Sequence, residues 1–383
     1  MRLILVLSLG LLACAVFENQ RHRRNLRKIP LRILVNGTRG KSSVVRLVAG
    51  ILREAGYVTI AKTTGSDARI IGDDGSERPV SRPFGPRLTE QKSLARYAAE
   101  RHADALVVEC MAVRPESQMV MQRHLVRATI GVITNVRVDH VEEISRTLDE
   151  TAEALALTIP QDGVLITTDP RFKEYGRRVA VVNGSSATPD ILGRFSYPVF
   201  AENVSLALRV AEEIGIDREV ALRGMLRAAP DIGVQRVCEI PFATFRVVIV
   251  NAFAANDVSS TLMAWEAAVE RTDNDLPVVL LYNNREDREY RIAEFRTLLP
   301  KIPGIRLIAT VGDYPGKTAR AFSRLGADTL ALKKGASCET VLTTLGGRIG
   351  EPFLLFCVGN FHGFGNELAM YCERFRSGEP VIG

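Results

Sequence analysis

Short apolar runs alternate with longer amphipathic stretches along the chain from Leu31 onward. Buried strands of parallel sheets read as continuous Val, Ile and Leu runs, whereas the helices between them repeat their apolar residues every three or four positions. The pattern therefore predicts an α/β fold. The predicted strands span residues 32–35, 58–61, 105–109, 129–134 and 163–167, and then 245–250, 277–281, 306–310 and 353–358.

Helices are predicted between these strands, and proline and glycine interrupt the series once, between residues 230 and 243. A chain of 383 residues is long enough for two domains. We predict them at residues 29–235 and 236–383, after a separate segment of residues 1–28. The predicted helices span residues 41–55, 90–101, 148–158, 201–214 and 219–227, and then 258–271, 288–299, 317–325 and 338–346.

The first 28 residues have a pattern of their own. Residues 3–17 contain neither a charged residue nor a proline, and six basic residues follow between Glu18 and Arg32. Fifteen helical residues span about 22 Å, less than the roughly 30 Å hydrocarbon core of a bilayer. A cleaved signal peptide and a helix lying in the membrane interface are alternatives, but we favour an uncleaved single membrane helix. Because the basic residues follow the apolar run, the positive-inside rule predicts a protein of the cell (inner) membrane with cytoplasmic domains.

Composition and charge narrow the class of protein. The chain is 46% hydrophobic and 25% charged, which excludes a disordered protein. The net charge of +6 comes entirely from the segment before Ile33, so the folded part has no basic excess and nucleic-acid binding is not expected. Six cysteines without a CxxC pair favour neither a disulfide scaffold nor a zinc site.

A glycine-rich segment joins the first predicted strand to the first predicted helix. Glycines let the backbone wrap closely around phosphate, the helix N-terminus offers free N–H groups, and a lysine and a hydroxyl can meet phosphate and Mg²⁺. The spacing is shorter than that of the usual phosphate loop, and a serine-capped turn is the alternative. We predict an ATP and Mg²⁺ site here, with these members: Gly37, Thr38, Arg39, Gly40, Lys41, Ser42 and Ser43.

Two further strands end in polar residues. Glu109 ends the strand predicted at residues 105–109, and the next strand runs into the segment from Asn135 to His140. Alone, each is more often a solvated or capping side chain. Because the carboxyl ends of parallel strands meet at one edge of a sheet, we expect Glu109 and His140 to lie near the phosphate loop, where oxygen ligands suit Mg²⁺.

Taken together, these motifs resemble those of the Mur ligase superfamily, which makes amide bonds from ATP, a carboxylate and an amine. They are still more similar to the ATP-dependent ligases of bacterial poly-γ-glutamate (capsule) synthases. The resemblance covers nearly the whole chain. It is carried by NGTRGKSSVVRLVAGILREAGY, AKTTGSDARII, VECMAV, VNAFAANDVSSTLMAW and VGNFHG, which begin at positions 36, 61, 108, 250 and 358.

The resemblance implies a central Mur-ligase-like domain with a phosphate loop and a parallel sheet, followed by a Rossmann-like α/β domain. It implies ATP-dependent formation of γ-glutamyl amide bonds through an acyl phosphate, with glutamate and the poly-γ-glutamate chain as substrates. Other membrane subunits of a polymer synthase and export complex would be partners, and a homo-oligomer is left open. A folylpolyglutamate-type ligase and a non-catalytic nucleotide switch in a membrane assembly are the alternatives.

The resemblance also implies roles for individual residues. Lys41, Glu109, His140 and Arg236 would be catalytic, with Ser42, Thr64, Glu109 and His140 at the metal ions and Asn203 and Asn256 at the nucleotide. The sequence departs from the Mur pattern at two positions. The glutamate expected shortly after Arg236 is absent, and Ala255 stands where a Mur enzyme has histidine. A polyanionic product would need basic contacts, for which Arg39, Arg69, Arg82 and Arg87 are candidates. A solvated position on the surface is the alternative for each of them.

Overall fold

The structure is a computed structural model, and the chain divides into two compact units, Met1–Asp231 and Ile232–Gly383. The residues it describes are 2–65, 68–83, 85–137, 147–176, 178–197, 199–231, 236–242, 245–255, 258–270, 272, 275–286, 290–324 and 326–376.

The first unit is built on an eight-stranded sheet. Its strands are β1 Leu31–Asn36, β2 Thr59–Thr63, β3 Arg69–Ile71, β4 Glu77–Pro79, β5 Ala105–Glu109, β6 Ile130–Ile133, β7 Val164–Thr167 and β8 Val179–Val181. Their order across the sheet is β4-β3-β2-β5-β1-β6-β7-β8, and all neighbours are parallel except in the pairs β2–β3 and β3–β4. The carboxyl ends of β1, β2, β5 and β6 therefore share one edge.

Helices cover both faces of this sheet. They are α1 Arg2–Arg27, α2 Lys41–Glu54, α3 Glu90–Glu100, α4 Pro115–Val120, α5 Leu148–Ala156, α6 Pro189–Gly193, α7 Ala201–Ile214 and α8 Arg218–Arg227. Ile33 and Val35 of β1 pack in the core formed with α2, α7 and α8, whereas Leu34 packs in the core formed with α3. Because both faces of the sheet are buried, the sequence of β1 is a continuous apolar run and not an alternating one.

The second unit has a six-stranded sheet. Its strands are β9 Arg236–Phe242, β10 Phe245–Asn251, β11 Val278–Asn284, β12 Ile305–Gly312, β13 Thr329–Ala331 and β14 Phe353–Gly359. Their order is β13-β12-β11-β14-β10-β9, and all neighbours are parallel except β9 and β10. The helices are α9 Val258–Val269, α10 Tyr290–Leu298, α11 Pro315–Ser323, α12 Cys338–Ile349 and α13 Phe364–Arg376. Helices α9, α10 and α11 contribute to the core on one face of the sheet, and α12 and α13 contribute to the core on the other.

Each predicted strand and helix is present, with ends displaced by at most three residues. The prediction missed α13, the short helices α4 and α6, and the strands β3, β4, β8, β9 and β13. Four of those strands have only three residues and lie towards the edges of their sheets. Strands this short carry too few positions for an apolar pattern to be recognised.

The N-terminal segment forms the helix α1, which continues through the basic residues instead of ending with the apolar run. Near its end, Leu26 and His22 are buried, and His22 Nε2 lies 3.0 Å from the carbonyl oxygen of Leu125. Among the described residues, no helix combines the length and the apolar character that crossing a membrane requires. The predicted single membrane helix is therefore not supported, because the apolar run ends at Phe17 and the rest of α1 is polar except for Leu26.

Candidate active site

The phosphate loop connects β1 to α2 in a conformation that only glycine adopts readily. Gly37 has φ 121° and Gly40 has φ 83°, a region that disfavours residues with a Cβ atom. A Cβ on Gly37 would also overlap Thr134 Oγ1. The loop thus needs glycine at both positions for two reasons, backbone conformation and close packing.

Lys41 begins α2 and turns back over the loop. Its Nζ donates to the carbonyl oxygens of Gly37, at 2.7 Å, and Thr38, at 3.2 Å. Ser42 and Ser43 follow in the first turn of the helix, where backbone N–H groups lack partners within the helix. The ammonium group and the positive end of the helix dipole therefore occupy the same loop, which is the arrangement that binds phosphate.

The polar segment that follows β6 forms hydrogen bonds with this loop from the neighbouring strand. The Arg39 N–H donates to Asn135 Oδ1 at 3.0 Å, and the Asn135 side chain donates back to the Arg39 carbonyl at 3.1 Å. Thr38 Oγ1 donates to the carbonyl of Arg137 at 3.1 Å. The predicted convergence of the strand ends is present as far as Arg137; His140 lies outside the described residues.

Ser42, Thr64 and Glu109 meet at the ends of α2, β2 and β5. Glu109 is 3% exposed, and its Oε2 accepts from Ser42 Oγ at 2.8 Å and from the Thr64 N–H at 2.6 Å. The hydroxyl proton of Ser42 is thereby directed at a carboxylate, which leaves the lone pairs of its oxygen for a cation. Thr63 precedes Thr64 in the chain, and its Oγ1 is buried without a hydrogen-bond partner among the described residues.

These oxygen atoms fit Mg²⁺, which prefers hydroxyl and carboxylate oxygens and keeps several water molecules. In the described part of the chain, no three His, Cys, Asp or Glu side chains converge closely enough to hold a metal ion by themselves. The donor set is therefore the Ser42 hydroxyl and the Glu109 carboxylate, and the remaining positions are left for water and phosphate.

Asn203 reaches the loop from α7. It is 5% exposed, and a Cβ atom added to Gly40 would lie 2.5 Å from its Oδ1. The structure therefore brings this predicted nucleotide contact to the phosphate loop. Asn256 lies outside the described residues, and of Arg236 only the backbone is described, at the start of β9 opposite Asn251.

A second charged cluster, which sequence reasoning missed, surrounds the end of β2. Lys62 is 1% exposed and its Nζ lies 2.6 Å from Glu90 Oε2, while Arg82 binds both oxygens of Glu90 at 2.9 and 3.0 Å. Burial acts to raise the pKa of Glu90, but the hydrogen bonds from Arg82 and Lys62 outweigh it and lower the pKa to about 2. Burial lowers the pKa of Lys62, and Glu90 opposes that shift.

The guanidinium of Arg82, one of the arginines considered as polymer contacts, is hydrogen-bonded to Glu90 in this cluster. The signal that would have found the cluster is the lysine of β2. It stands next to Ala61, in a strand whose five residues are all buried, and a buried lysine needs a carboxylate partner.

A third cluster, also missed, lies one turn along α2 from Ser42. Arg46 is 4% exposed and forms a two-pronged ion pair with Glu77 of β4, with Nη2 3.0 Å from Oε2. Its Nε lies 3.6 Å from Asp231 Oδ2. Burial opposes the charge of Arg46, but Glu77 and Asp231 outweigh burial and raise its pKa. The sequence feature that could have indicated this cluster is an arginine, Arg46, on the apolar face of the amphipathic helix α2.

Two family models match the chain. The Mur ligase middle domain matches residues 35–184, which contain the phosphate loop, Thr64 and Glu109. The C-terminal domain of the poly-gamma-glutamate synthase CapB matches residues 238–375, which lie in the second unit.

Two curated proteins are similar over nearly the whole chain. The PGA synthase CapB of Bacillus subtilis (strain 168) is 40% identical over 377 residues, covering 95% of each chain. The capsule biosynthesis protein CapB of Bacillus anthracis is 37% identical over 375 residues, covering 94% of this chain and 80% of the relative.

Solved structures share the fold at low sequence identity. FolC of E. coli in complex with DHPP and ADP superimposes with a TM-score of 0.67 at 14% identity, covering 95% of this chain and 92% of FolC. A folylpolyglutamate synthase/dihydrofolate synthase with Mn, AMPPNP and L-glutamate bound gives 0.65 at 14% identity, covering 94% and 93%. MurF of Acinetobacter baumannii gives 0.65 at 15% identity, covering 93% and 79%. The fold is therefore that of Mur ligases and folylpolyglutamate synthases.

Proposed function

The chain belongs to the CapB family of poly-γ-glutamate synthases, and from this premise we propose how its phosphate loop performs the reaction. It is an ATP-dependent ligase that forms the amide bonds of poly-γ-glutamate. The single observation that carries the assignment of the site is the meeting of Ser42, Thr64 and Glu109 beside the loop that contains Lys41.

The reaction has two steps in our proposal. A terminal carboxylate of the growing chain attacks the γ-phosphorus of ATP, and ADP leaves as an acyl phosphate forms. The amine of an incoming glutamate then attacks the acyl carbon, and phosphate leaves. The protein contributes mainly by positioning the reactants and neutralising charge.

The loop residues have separate tasks in this scheme. The N–H groups at the start of α2 bind phosphate oxygens, and Lys41 neutralises the negative charge that develops on the transferred group. Lys41 exchanges its contacts with the carbonyls of Gly37 and Thr38 for contacts with phosphate. Asn203, packed against Gly40, holds the nucleotide. By the family resemblance, we assign nucleotide binding to Asn256 and a catalytic role to Arg236 as well.

Ser42 and Glu109 would hold Mg²⁺, with His140 as a further ligand and Thr64 at a second ion. The fit rests on the hydroxyl and carboxylate oxygens of Ser42 and Glu109 described above. When bound, the metal supplies charge neutralisation at the phosphates. Ser42 orients its hydroxyl through its hydrogen bond to Glu109, and Thr64 fixes the Glu109 carboxylate through its backbone.

We propose that the protein works at the cytoplasmic side of the cell membrane together with other membrane subunits of a polymer synthase. The support is α1, in which Leu11 and Phe17 are exposed and are followed by basic residues. Such a segment can associate with an anionic membrane surface through apolar and electrostatic contacts. Arg39, Arg69, Arg82 and Arg87 remain proposed contacts for the anionic polymer.

Glutamate-dependent turnover tests the function. The full-length protein is incubated with ATP, Mg²⁺ and labelled glutamate, with and without a short γ-glutamyl oligomer. We expect ADP and phosphate to appear only when glutamate is present, and the label to enter longer γ-linked chains.

Lys41→Ala is the control, since Lys41 is half-buried and contacts only its own loop in the described structure. It should abolish turnover without lowering the unfolding temperature. ADP release that does not depend on glutamate would instead indicate a non-catalytic nucleotide switch. Transfer of glutamate to a folate acceptor but not to the oligomer would indicate a folylpolyglutamate-type ligase.

A further inference from the structure

The first unit contains a cavity of about 400 Å³ that none of the phosphate-loop residues lines. Its lining comes from α2, from β3, β4 and the turn between them, and from α8. The helices α2 and α8 approach each other closely here, because a Cβ atom added to Gly50 would overlap the carbonyl oxygen of Gly224. The volume falls within the roughly 300–1,000 Å³ of pockets that bind small molecules.

Arg53 of α2 lines this cavity without a partner of its own. Its guanidinium forms no hydrogen bond and no ion pair with any residue that the structure describes, and its Nη1 is buried. Burial lowers the pKa of Arg53, Arg46 adds to this shift, and the more distant attraction of Glu77 and Asp74 does not offset it. An anionic acceptor would therefore stabilise this cation, because hydrogen bonds between a guanidinium and a carboxylate are among the strong ones.

The other charged side chains around the cavity already have partners. Arg46 pairs with Glu77, Arg227 pairs with Glu54 at 2.6 Å, Asp73 pairs with Arg101 at 3.1 Å, and Asp74 accepts from Ser76 Oγ at 2.6 Å. Arg53 is therefore the one charged group of this lining that has no hydrogen-bond partner in the described part of the chain.

The charges around the cavity indicate the class of ligand. A single cation without a partner suits a singly charged carboxylate. Four acidic side chains line the same cavity, and they disfavour a phosphate dianion because like charges repel at short range. A γ-linked glutamate polymer offers such carboxylates, because each amide bond uses the γ-carboxyl group and leaves the α-carboxylate of the unit free.

We propose that this cavity is a second binding site for the glutamyl substrate, in which Arg53 binds a free carboxylate of glutamate or of the γ-linked chain. Arg53 lies about three helical turns, or roughly 16 Å, beyond Ser42 along α2. The cavity therefore binds substrate away from the phosphoryl transfer and takes no part in that step. The inference rests on the proposed function, since the chemistry of the polymer identifies the ligand.

Arg223 provides a matched control for Arg53. It pairs with Glu54, which lines the cavity, but does not line the cavity itself. Arg53→Gln and Arg223→Gln thus each remove one positive charge from the same region, and both leave the phosphate loop unchanged. Any difference between the two variants in the binding of an anion then reports on the cavity.

Equilibrium dialysis of the full chain without nucleotide measures the binding of labelled glutamate and of a labelled γ-glutamyl tripeptide. We expect Arg53→Gln to weaken one binding site per chain about tenfold, the loss expected for a hydrogen bond to a charged group. Arg223→Gln should stay within about twofold of the wild type. Unchanged binding in Arg53→Gln, or equal weakening in both variants, would overturn the proposal.

The choice of ligand separates the two sources of the carboxylate. An effect of Arg53→Gln on the tripeptide alone assigns the site to the polymer, and an effect on glutamate as well assigns it to the single amino acid. Inorganic phosphate that binds as tightly as the tripeptide, and equally depends on Arg53, would overturn the assignment to carboxylates.

Arg53→Gln should not lower the unfolding temperature, because Arg53 has no hydrogen bond to lose, and a clear decrease would indicate a structural role instead. If Arg53→Gln does not fold, Arg53→Lys carries the test, because it keeps the charge but not the planar fork; unchanged tripeptide binding then counts against the proposal. Glutamate-dependent release of ADP tests the ligase activity separately, so the site in the cavity and the proposed function can fail independently.

Discussion

The two parallel sheets of this chain carry different chemistry at equivalent edges. The carboxyl ends of β1, β2 and β5 present charged side chains, among them Lys62, Glu109 and, on the phosphate loop, Lys41. The carboxyl ends of β11 and β14 present amides, including Asn283 and Asn360. Binding sites of open α/β sheets gather at these edges, so the sheet architecture alone does not distinguish the two.

The hydrogen bonds of the amides explain the difference. Asn283 Nδ2 donates to the carbonyls of Asn360 and His362 at 2.6 and 3.0 Å, and Asn360 Nδ2 donates back to the Asn283 carbonyl at 3.1 Å. Arg291 donates to Asn360 Oδ1 at 2.8 Å. The two amides connect one strand end to the next by hydrogen bonds, whereas the charged groups of the first sheet surround a loop whose N–H groups suit phosphate.

The largest contrast between the two sheets is expected when one glycine of each sheet is replaced by alanine. Gly40 and Gly359 both have positive φ, and an added Cβ would meet Asn203 Oδ1 or the Asn283 carbonyl oxygen, respectively, at 2.5 Å. Strain of about 1–3 kcal/mol is expected at each site. Gly40→Ala should lower ADP affinity by about tenfold or more, whereas Gly359→Ala should lower only the unfolding temperature. A fluorescent ADP analogue and thermal unfolding measure the two effects, and a loss of ADP affinity in Gly359→Ala would contradict the contrast.

The two sheets should also differ in their effect on metal dependence. Glu109→Gln and His140→Ala should each raise the Mg²⁺ concentration needed for half-maximal activity, by about 10- to 100-fold for groups at or near the ion. Asn284→Ala, at the end of β11, serves as the control and should leave the Mg²⁺ titration unchanged. If all three variants require the same Mg²⁺ concentration, the assignment of a metal site to the first sheet is contradicted.

Stability of the second sheet should depend on its amides. Asn283→Ala removes the side-chain donor to two carbonyls, which should cost about 1–3 kcal/mol of unfolding free energy. Equilibrium unfolding in urea measures the loss, and ADP affinity should not change. Asn366→Ala, a half-buried control on α13, should not lower stability, because alanine is a better helix former. Equal losses in both variants would argue against the role of the Asn283 hydrogen bonds.

The smallest effect expected is a pH dependence at Glu90. Its pKa is lowered from 4.5 to about 2 in the folded chain, so its ion pairs stabilise the fold above the unfolded pKa. That contribution should be lost as the pH falls from about 4.5 towards 2. Comparing the unfolding of wild type and Glu90→Gln across this range measures it. Glu100→Gln, which breaks an exposed pair with Arg96, should show almost no such dependence. A constant difference between wild type and Glu90→Gln at all pH values would contradict the assignment.

Most of the architecture could be predicted from the sequence because it is encoded locally. The apolar run of β1, the glycines at 37 and 40 and the amphipathic α2 follow one another within about twenty residues, and each depends on neighbouring positions. The position of Glu109 followed as well, because a strand end in a parallel sheet is fixed by topology. The resemblance to Mur ligases added Asn203, for which the local pattern gave no reason.

Other features depended on contacts between distant parts of the chain. The pairing of Lys62 with Glu90 and of Arg46 with Asp231 joins residues 28 and 185 positions apart, and no periodicity records which charges meet. The ion pair of Arg82 with Glu90 was likewise not predicted. The N-terminal segment was expected to cross a membrane, but no helix among the described residues is long and apolar enough to do so. The helices, the strands and the phosphate loop could be predicted from the amino-acid sequence, since they follow from local conformation and apolar periodicity. The pairing of the buried charges could not, because it depends on desolvation and on distances that exist only in the folded chain.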